Sequence, residues 1–515
     1  MVFTPQQERC PPLIKPLNII VTTYFLTSRC VLLTALLCLS ACTVGPEYRR
    51  PLSTVPTDFK EIKGWTQAQP RDAQLPEDWW VLFNDPYLTT LERQVAASNL
   101  SIAEAEARYA QAQALVQSAT SAYSPLLSTT AMTNRFRAAS GQSVAVSGVR
   151  NLFGGLISVA WEPDLWGSVK KQVEANATTA QASAATVQAL RLSAQALLAQ
   201  NYFLLRKIDA HIALLTETIA RYEKTLTIIQ NRYRAGVAAK TDSIQAETQL
   251  ESVRARLIDS GIQRQQCEHA IALLMGKPPS ALSIPRQARV TPVPSIPVML
   301  PSQLLERRPD IAAAERLTAA ANAQIGVAKA AYYPKVNLSA SRGSQSTELS
   351  SLFTTAATYW ALGPAALALP LFDGGARSAQ LTAAVNSFKG NVAAYRNTVL
   401  TSFVEVEDYL TELHLLAQET EVQKKAVTSA HNAVDLMMNQ YNAGTVSYLN
   451  VMTAQTTALT NEETAVELHG RQLLAAVQLV KALGGGWDAT TLPTQDKVGG
   501  KVNWQQFLPV PLIQK

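Results

Sequence analysis

No proline occurs between Pro163 and Pro278, or between Pro370 and Pro493, in a chain of 515 residues that holds 26 of them. Proline removes a backbone donor and clashes inside a helix, so two proline-free tracts of this length are where very long helices can form. In the first tract Leu198, Tyr202, Leu205, Ile208, Ile212, Leu215, Ile219, Tyr222, Leu226, Ile229 and Tyr233 follow in steps of three and four. That spacing is the seam of a coiled coil. The second tract keeps a looser seam, with Val406, Leu410, Leu413 and Ala417, then Val427, Val434, Met438 and Tyr441. Gly236 and Gly444 end the two arms, because glycine tolerates the left-handed backbone just past a helix C-cap. A returning helix is expected after each, over about 242–275 and 446–483. The first arm, from near Lys170 to Tyr233, spans roughly 95 Å at about 1.5 Å per residue. Such a hairpin cannot fold back into a globule.

The two tracts are copies. Tyr233-Arg-Ala-Gly236 returns as Tyr441-Asn-Ala-Gly444, and Tyr123 with Pro125 returns as Tyr332 with Pro334. Pro163 before Gly167 matches Pro370 before Gly374, and Leu274-Met-Gly276 matches Ala482-Leu-Gly484. A repeat of this size is a duplicated domain rather than a short solenoid unit. It divides the chain into 42–277 and 278–487, with a tail over 488–515. Ahead of each tract the period changes to two. Val336, Leu338 and Ala340 alternate with Asn337, Ser339 and Ser341, and Ile157, Val159 and Trp161 alternate with Ser158, Ala160 and Glu162. Strands are expected over about 126–137 and 152–163 in the first repeat, and over about 335–345 and 358–371 in the second. The hairpins are expected over about 164–275 and 374–484, with a further helix over about 302–332. Each strand is long enough for a tilted membrane crossing, with Trp161, Tyr359 and Trp360 where interfacial aromatics sit. Four strands alone would leave open edges in lipid, so the barrel must be shared among copies of the chain. Two copies give eight strands and a filled interior; three give twelve and leave a lumen.

The N-terminus carries an address. Arg29 precedes an apolar run, Val31 to Leu39, too short to span a bilayer and followed by Ser40, Ala41 and Cys42. The pattern resembles a bacterial lipoprotein signal. It implies removal of 1–41, cleavage between Ala41 and Cys42, a diacylglycerol on the Cys42 thiol and an acyl chain on its amine. Thr43, where an aspartate is absent, implies sorting to the outer membrane. Cys10, Cys30 and Cys38 leave with the signal, so Cys267 is the one remaining thiol and no disulfide framework exists.

Composition excludes several classes. The net charge of +6 carries no Lys/Arg cluster interleaved with aromatics, so nucleic acid is not a partner. No GxGxxG or GxxxxGK[ST] run cradles a phosphate. His211, His269, His414, His431 and His469 have no metal-binding spacing and read as solvated or lumen-facing helix positions. Glu405, Glu407 and Asp408, with Glu412, read as a hydrated helix face. Glu104 and Glu106 point to different faces and make no acid–base pair. Arg307 and Arg308 precede Pro309 at a helix start, where packing with Asp310 is expected. No catalytic, cofactor-binding or metal residue emerges, and the chain reads as no enzyme.

Four motifs carry a resemblance that runs from Cys42 to about Trp487. They are Trp79-Trp80 with Phe83, Asp85-Pro86, Leu88 and Leu91; Arg307-Arg308-Pro309-Asp310-Ile311; Pro370-Leu-Phe-Asp-Gly-Gly375; and Ala482-Leu-Gly-Gly-Gly-Trp487. Together they resemble the TolC-like outer membrane efflux factors, in the lipoprotein branch that works with resistance–nodulation–division pumps. The resemblance implies a mainly α, mixed fold. A homotrimer would share a 12-stranded β-barrel in outer membrane lipid and an α-helical barrel of coiled-coil hairpins, with an equatorial domain from about 42–120 and 277–330. It implies a passive duct without cofactor, joined by a periplasmic adaptor to an inner-membrane pump that exports small toxic compounds. The hairpin ends would form the aperture and the adaptor contact, through Arg234, Gly236, Val237, Lys240 and Asp242 on one side, and Tyr441, Gly444, Thr445, Ser447 and Leu449 on the other. Members of the family often carry acids just after the second hairpin turn, where this chain has Asn450 and Thr453. A TolC-type duct serving an ABC exporter of peptides or proteins is the alternative. A coiled-coil lipoprotein that only bridges envelope layers leaves the alternating strands unexplained.

Overall fold

A computed structural model describes residues 44–61, 78–137, 149–287, 291–297 and 301–499. Ala41 and Cys42 lie outside the described residues. Nine helices are described: α1 Pro86–Ser98, α2 Leu100–Thr120, α3 Ser168–Arg234, α4 Lys240–Leu274, α5 Pro301–Arg307, α6 Pro309–Ala330, α7 Ala376–Asn442, α8 Tyr448–Ala482 and α9 Gln495–Val498. The four strands are β1 Leu126–Arg137, β2 Val149–Trp161, β3 Lys335–Ser346 and β4 Thr358–Ala368. No described helix is long and apolar enough to cross a membrane.

The chain divides into two compact units, and each repeat contributes to both. The first unit holds the described residues up to Tyr48 together with Ser118–Glu174 and Asn322–Val385. Its four strands pair antiparallel in the order β1-β2-β3-β4. Register sets the chemistry of the two faces. Leu127 lies opposite Val159 and Thr129 opposite Ile157, while Ile157, Val159 and Trp161 face Arg342, Ala340 and Leu338. Across β3, Ala340 pairs with Leu362 and Arg342 with Trp360. One face therefore collects Leu127, Ile157, Val159, Leu338, Leu362 and Trp360, with Thr129 and Arg342 among them. The other collects Ser128, Thr130, Ser158, Ser339, Ser341 and Gln345, with Leu126 and Leu156 among them and the Ser128 and Ser158 hydroxyls 2.8 Å apart. Trp360 and Leu362 are 76% and 83% exposed. Among the described residues the outer edges of β1 and β4 have no strand beside them.

Differences from the expected strands are small and have causes. β2 begins at Val149 because the ladder continues until Val149 meets Arg137. β4 stops at Ala368, opposite Lys335, the first residue of β3. At that end Trp161 Nε1 donates to the Tyr123 carbonyl (3.1 Å), and Trp166 Nε1 donates to the Pro334 carbonyl (2.6 Å) while its ring stacks on Tyr333. Val44 is fastened to the same end, since its N–H donates to the Trp166 carbonyl (3.1 Å). Gly45, at φ +142°, lets the segment pass Gly326 so closely that a Cβ on Gly45 would collide with the Gly326 Cα.

The second unit holds Arg49–Gln117, Ala175–Ala321 and the residues from Asn386 onward. Its core gathers Trp79, Trp80, Phe83, Leu88, Leu91 and Val95 against Leu198, Tyr202, Phe203 and Leu205 of α3 and Val399, Val406 and Leu410 of α7. Asp85 caps α1: it accepts from the N–H groups of Tyr87 (2.9 Å) and Leu88 (3.2 Å), and Pro86 fills the first position, which needs no donor. The other Asp85 oxygen accepts from Tyr202 Oη at 2.7 Å, which locks the cap to α3. The arms α3 and α7 each run 67 residues, close to 100 Å at about 1.5 Å per residue. The seam of α3 is buried from Leu198 to Ile229, with Ile219 and Leu226 half-covered, while Tyr233 is exposed. In α7 Leu416 replaces Ala417 on the buried line.

Two expectations are corrected here. The helix expected over about 302–332 is two helices, broken at Arg308 ahead of Pro309. Buried Arg308 pairs with Asp310 (2.7 Å) and with Glu405 (2.6 Å), and donates to the Ala482 carbonyl (3.1 Å). Glu405 is thus a partner rather than a hydrated face. Glu407 likewise accepts from the backbone N–H groups of Lys60 and Glu61.

Candidate functional site

The turns that join α3 to α4 and α7 to α8 are built alike. Gly236 and Gly444 both sit at φ +76°, with open space where a side chain would be. After α3, Gly236 N–H donates to the Tyr233 carbonyl and Val237 N–H to the Arg232 carbonyl (2.9 and 3.0 Å). After α7, Gly444 N–H donates to the Tyr441 carbonyl and Thr445 N–H to the Gln440 carbonyl (both 3.0 Å). This pair of bonds satisfies carbonyls that a helix end leaves open, and it requires the left-handed residue. The same closure recurs at Gly276 and Gly484, at the far ends of α4 and α8.

Around these turns the expected contact residues divide. Arg234, Gly236, Val237 and Lys240 are exposed, as are Gly444, Thr445, Ser447 and Leu449. Val237 and Leu449 present apolar side chains to solvent. Tyr441 turns inward and Asp242 is half-buried. The Tyr441 ring lies under the Arg232 guanidinium, 4.9 Å from its centroid, and meets Tyr448 edge-on at 5.8 Å. Its hydroxyl donates to Asp242 Oδ2 at 3.3 Å. Arg232 Nη1 also donates to the Asn442 carbonyl (2.9 Å) at the end of α7. These contacts tie the first hairpin to the second above a small core of Ile229, Ala246, Tyr448 and Val451. Burial and the Asp242 charge push the Tyr441 hydroxyl up in pKa, so it is a donor at any physiological pH.

Sequence reasoning named Tyr441 and Asp242 but not Arg232 or Tyr448. Arg232 stands one residue ahead of the repeated Tyr-x-Ala-Gly, and its counterpart in the second copy is Gln440. The second turn offers no acid: Asn450 is exposed, and Thr453 Oγ1 bonds back to the Leu449 carbonyl at 2.9 Å. The side chains at the turns are therefore more basic than acidic. His269 and His414 are exposed helix positions, as expected, whereas His211 and His469 are half-buried. His211 and His431 lie within ion-pair reach of Glu463 and Glu462, and burial lowers the pKa of His469. Among the described residues no cluster of His, Cys, Asp or Glu could hold a metal ion. Cys267 is buried on α4, and burial raises the pKa of its thiol.

Comparison with known proteins matches these features over most of the chain. The family model described as outer membrane efflux protein fits twice, over residues 91–277 and 300–485, one match for each copy. The outer membrane protein OprJ of Pseudomonas aeruginosa is 32% identical over 461 residues, which covers 88% of this chain and 94% of OprJ. The toluene efflux pump outer membrane protein TtgC of Pseudomonas putida is 29% identical over 486 residues, covering 92% and 97%. Among solved structures, the outer-membrane channel OprN superposes with a TM-score of 0.81 at 26% identity, covering 87% of this chain and all of that one.

Proposed function

The chain belongs to the outer membrane efflux protein family, and we propose that it acts there as a lipid-anchored homotrimer, the exit duct of a three-part pump. It is an outer membrane efflux channel and not an enzyme. The observation that supports the trimer is the sheet of the first unit, with one face that gathers most of the large apolar side chains of β3 and β4, one serine-rich face, and outer edges of β1 and β4 that have no strand beside them among the described residues. In lipid each edge needs another strand, and three copies close twelve strands around a lumen lined by the serine-rich face. A lipid on Cys42 would anchor the same end of the sheet, because Val44, two residues on, is bonded to Trp166 beside the strand ends.

In this reading the turns at Arg234, Gly236, Val237 and Lys240, and at Gly444, Thr445, Ser447 and Leu449, take the tips of a periplasmic adaptor. Val237 and Leu449 supply apolar contacts, and Arg234 and Lys240 favour acidic partners. The inner-membrane member is a resistance–nodulation–division pump, and the cargo is small toxic compounds, as the name of the toluene-pump relative suggests for that protein. The test is in-cell cross-linking from Val237→Cys and Ser447→Cys in a Cys267→Ser background, with mass spectrometry of what is captured. Capture of an adaptor that serves a proton-driven pump supports the proposal. Capture of an adaptor for an ABC exporter would move the cargo to polypeptides. No capture from cells that hold the trimer would remove the turns as the docking site.

A further inference from the structure

The two ends of the four-stranded sheet differ in charge. At the end where Val44 is fastened the charges are paired: Lys335 with Glu162 (3.2 Å), Lys171 with Glu174 (2.8 Å) and Arg377 with Asp373 (2.6 Å). At the other end β1 and β2 extend past the end of β3, and the extension carries Arg135, Arg137 and Arg150. All three are exposed, and none has a hydrogen bond or an ion pair among the described residues. No Asp or Glu occurs in the sequence from Leu126 to Trp161, and the one acid on the connection from β3 to β4 is Glu348.

Register puts two of the three on one face. Arg135 and Arg137 alternate along β1 with the same phase as Leu127 and Thr129, and they stand opposite Asn151 and Val149. Arg150 stands opposite Phe136 and belongs to the serine-rich face. The apolar surface continues up to the two arginines: Val149, opposite Arg137, is 56% exposed, and Phe153 lies on the same face. β1 runs 12 residues from Leu126 to Arg137. That is about 37 Å at about 3.4 Å per residue, or about 29 Å up a barrel whose strands tilt about 40°. The apolar band of such a barrel is about 25 Å tall. Arg135 and Arg137 therefore reach the headgroup level of the leaflet opposite the Val44 end. A guanidinium keeps its charge there, and its planar fork of N–H donors matches two oxygens of a phosphate. Arg342, also on this face, stands opposite Ile157 and Trp360, well down the strands, and takes no part.

We propose that Arg135 and Arg137 form a binding site for the phosphate groups of an anionic lipid, of the lipid A kind, in the leaflet away from the anchored end. Each copy of the chain brings one such site. The site rests on the shared-barrel reading, because only in that barrel does this face meet lipid. The experiment is native mass spectrometry of the full lipidated protein in detergent, titrated with diphosphoryl lipid A and with the same lipid stripped of its phosphates. The phosphorylated form is expected to bind tighter, by at least about tenfold. Arg135→Gln and Arg137→Gln are each expected to weaken its binding about fivefold, the value of one basic side chain at an anionic lipid surface. Arg150→Gln makes the same change of charge on the other face and is expected to leave binding unchanged. The trimer mass in the same spectra reports the barrel separately, and monomers alone would overturn the barrel and this site together. Three results overturn the inference and leave the barrel standing: trimers that bind both lipids equally, a phosphate preference that survives the double variant, or an equal loss in Arg150→Gln.

Discussion

Glu92 is the most improbable residue in the core of the second unit. It lies on α1 at 0% exposure, on the helix that also buries Leu88, Leu91 and Val95, and neither carboxyl oxygen has a hydrogen-bond partner. Burial alone pushes its carboxyl well above the usual range, so the folded chain holds it neutral where the unfolded chain would ionise it. The sign follows from linkage. A raised folded pKa leaves stability intact below the unfolded value of about 4.3 and removes it as pH rises toward the folded value, at about 1.4 kcal/mol per pH unit. Glu92→Met keeps an unbranched side chain of similar size and removes both orphan oxygens. A buried polar group without a partner costs about 1–3 kcal/mol, so the variant should gain at least that much near neutral pH. Glu92→Gln should remove the pH slope and recover less of the stability, because its amide is still unpaired. Fluorescence melting across mildly acid to neutral pH is the assay, since Trp79 and Trp80 share the core cluster of Leu88, Leu91 and Val95. Glu92→Met that melts below the unmodified protein, or a pH slope that survives both substitutions, would refute this account of the carboxyl.

Other expectations test the turns and the anchor. Tyr441→Phe removes the hydroxyl contact to Asp242 at a cost of about 1 kcal/mol and should raise single-channel conductance in planar bilayers with the oligomer intact; unchanged conductance would mean that this contact does not restrain the aperture. Gly444→Ala meets open space, so its cost should be only the left-handed backbone penalty of about 1–2 kcal/mol in a melting measurement. A much larger loss would reveal an inter-chain contact at the turn. Cys42→Ala should yield a chain without acyl mass by intact mass spectrometry, and acyl chains still attached would place the lipid elsewhere.

What could be read from the sequence was local in the chain. Missing prolines, three-and-four spacing and paired glycines sufficed for the hairpins, because each signal concerns one helix and its end. Alternation in Ile157–Trp161 and Val336–Ser341 was enough for strands. It could not say that Leu362 and Trp360 complete the apolar face, because that depends on which residue of β3 lies opposite them. The partners of His211 and Arg221 are illegible in the sequence for a related reason. His211 meets Glu463 across 252 residues, and Arg221 meets Glu462 across 241, so nothing nearby in the chain marks either pair. Arg308 was legible in part: Asp310 is two residues away, but Glu405 is not.

The duplication explains why the tie at the turns stayed hidden even with both copies in view. Both hairpins keep the tyrosine and the glycine, and the turn itself needs the glycine for its left-handed backbone. Their charges have parted: Arg232 and Asp242 stand in the first copy where Gln440 and Asn450 stand in the second. Tyr448 stands in the second copy where the first has Lys240. The contact therefore joins unlike surfaces, cation and acid from one hairpin around an aromatic pair from the other. Aligning the copies sets Asn450 against Asp242, and the geometry shows how far the two positions differ: Asp242 is half-buried and accepts from the Tyr441 hydroxyl of the other hairpin, whereas Asn450 is exposed to solvent.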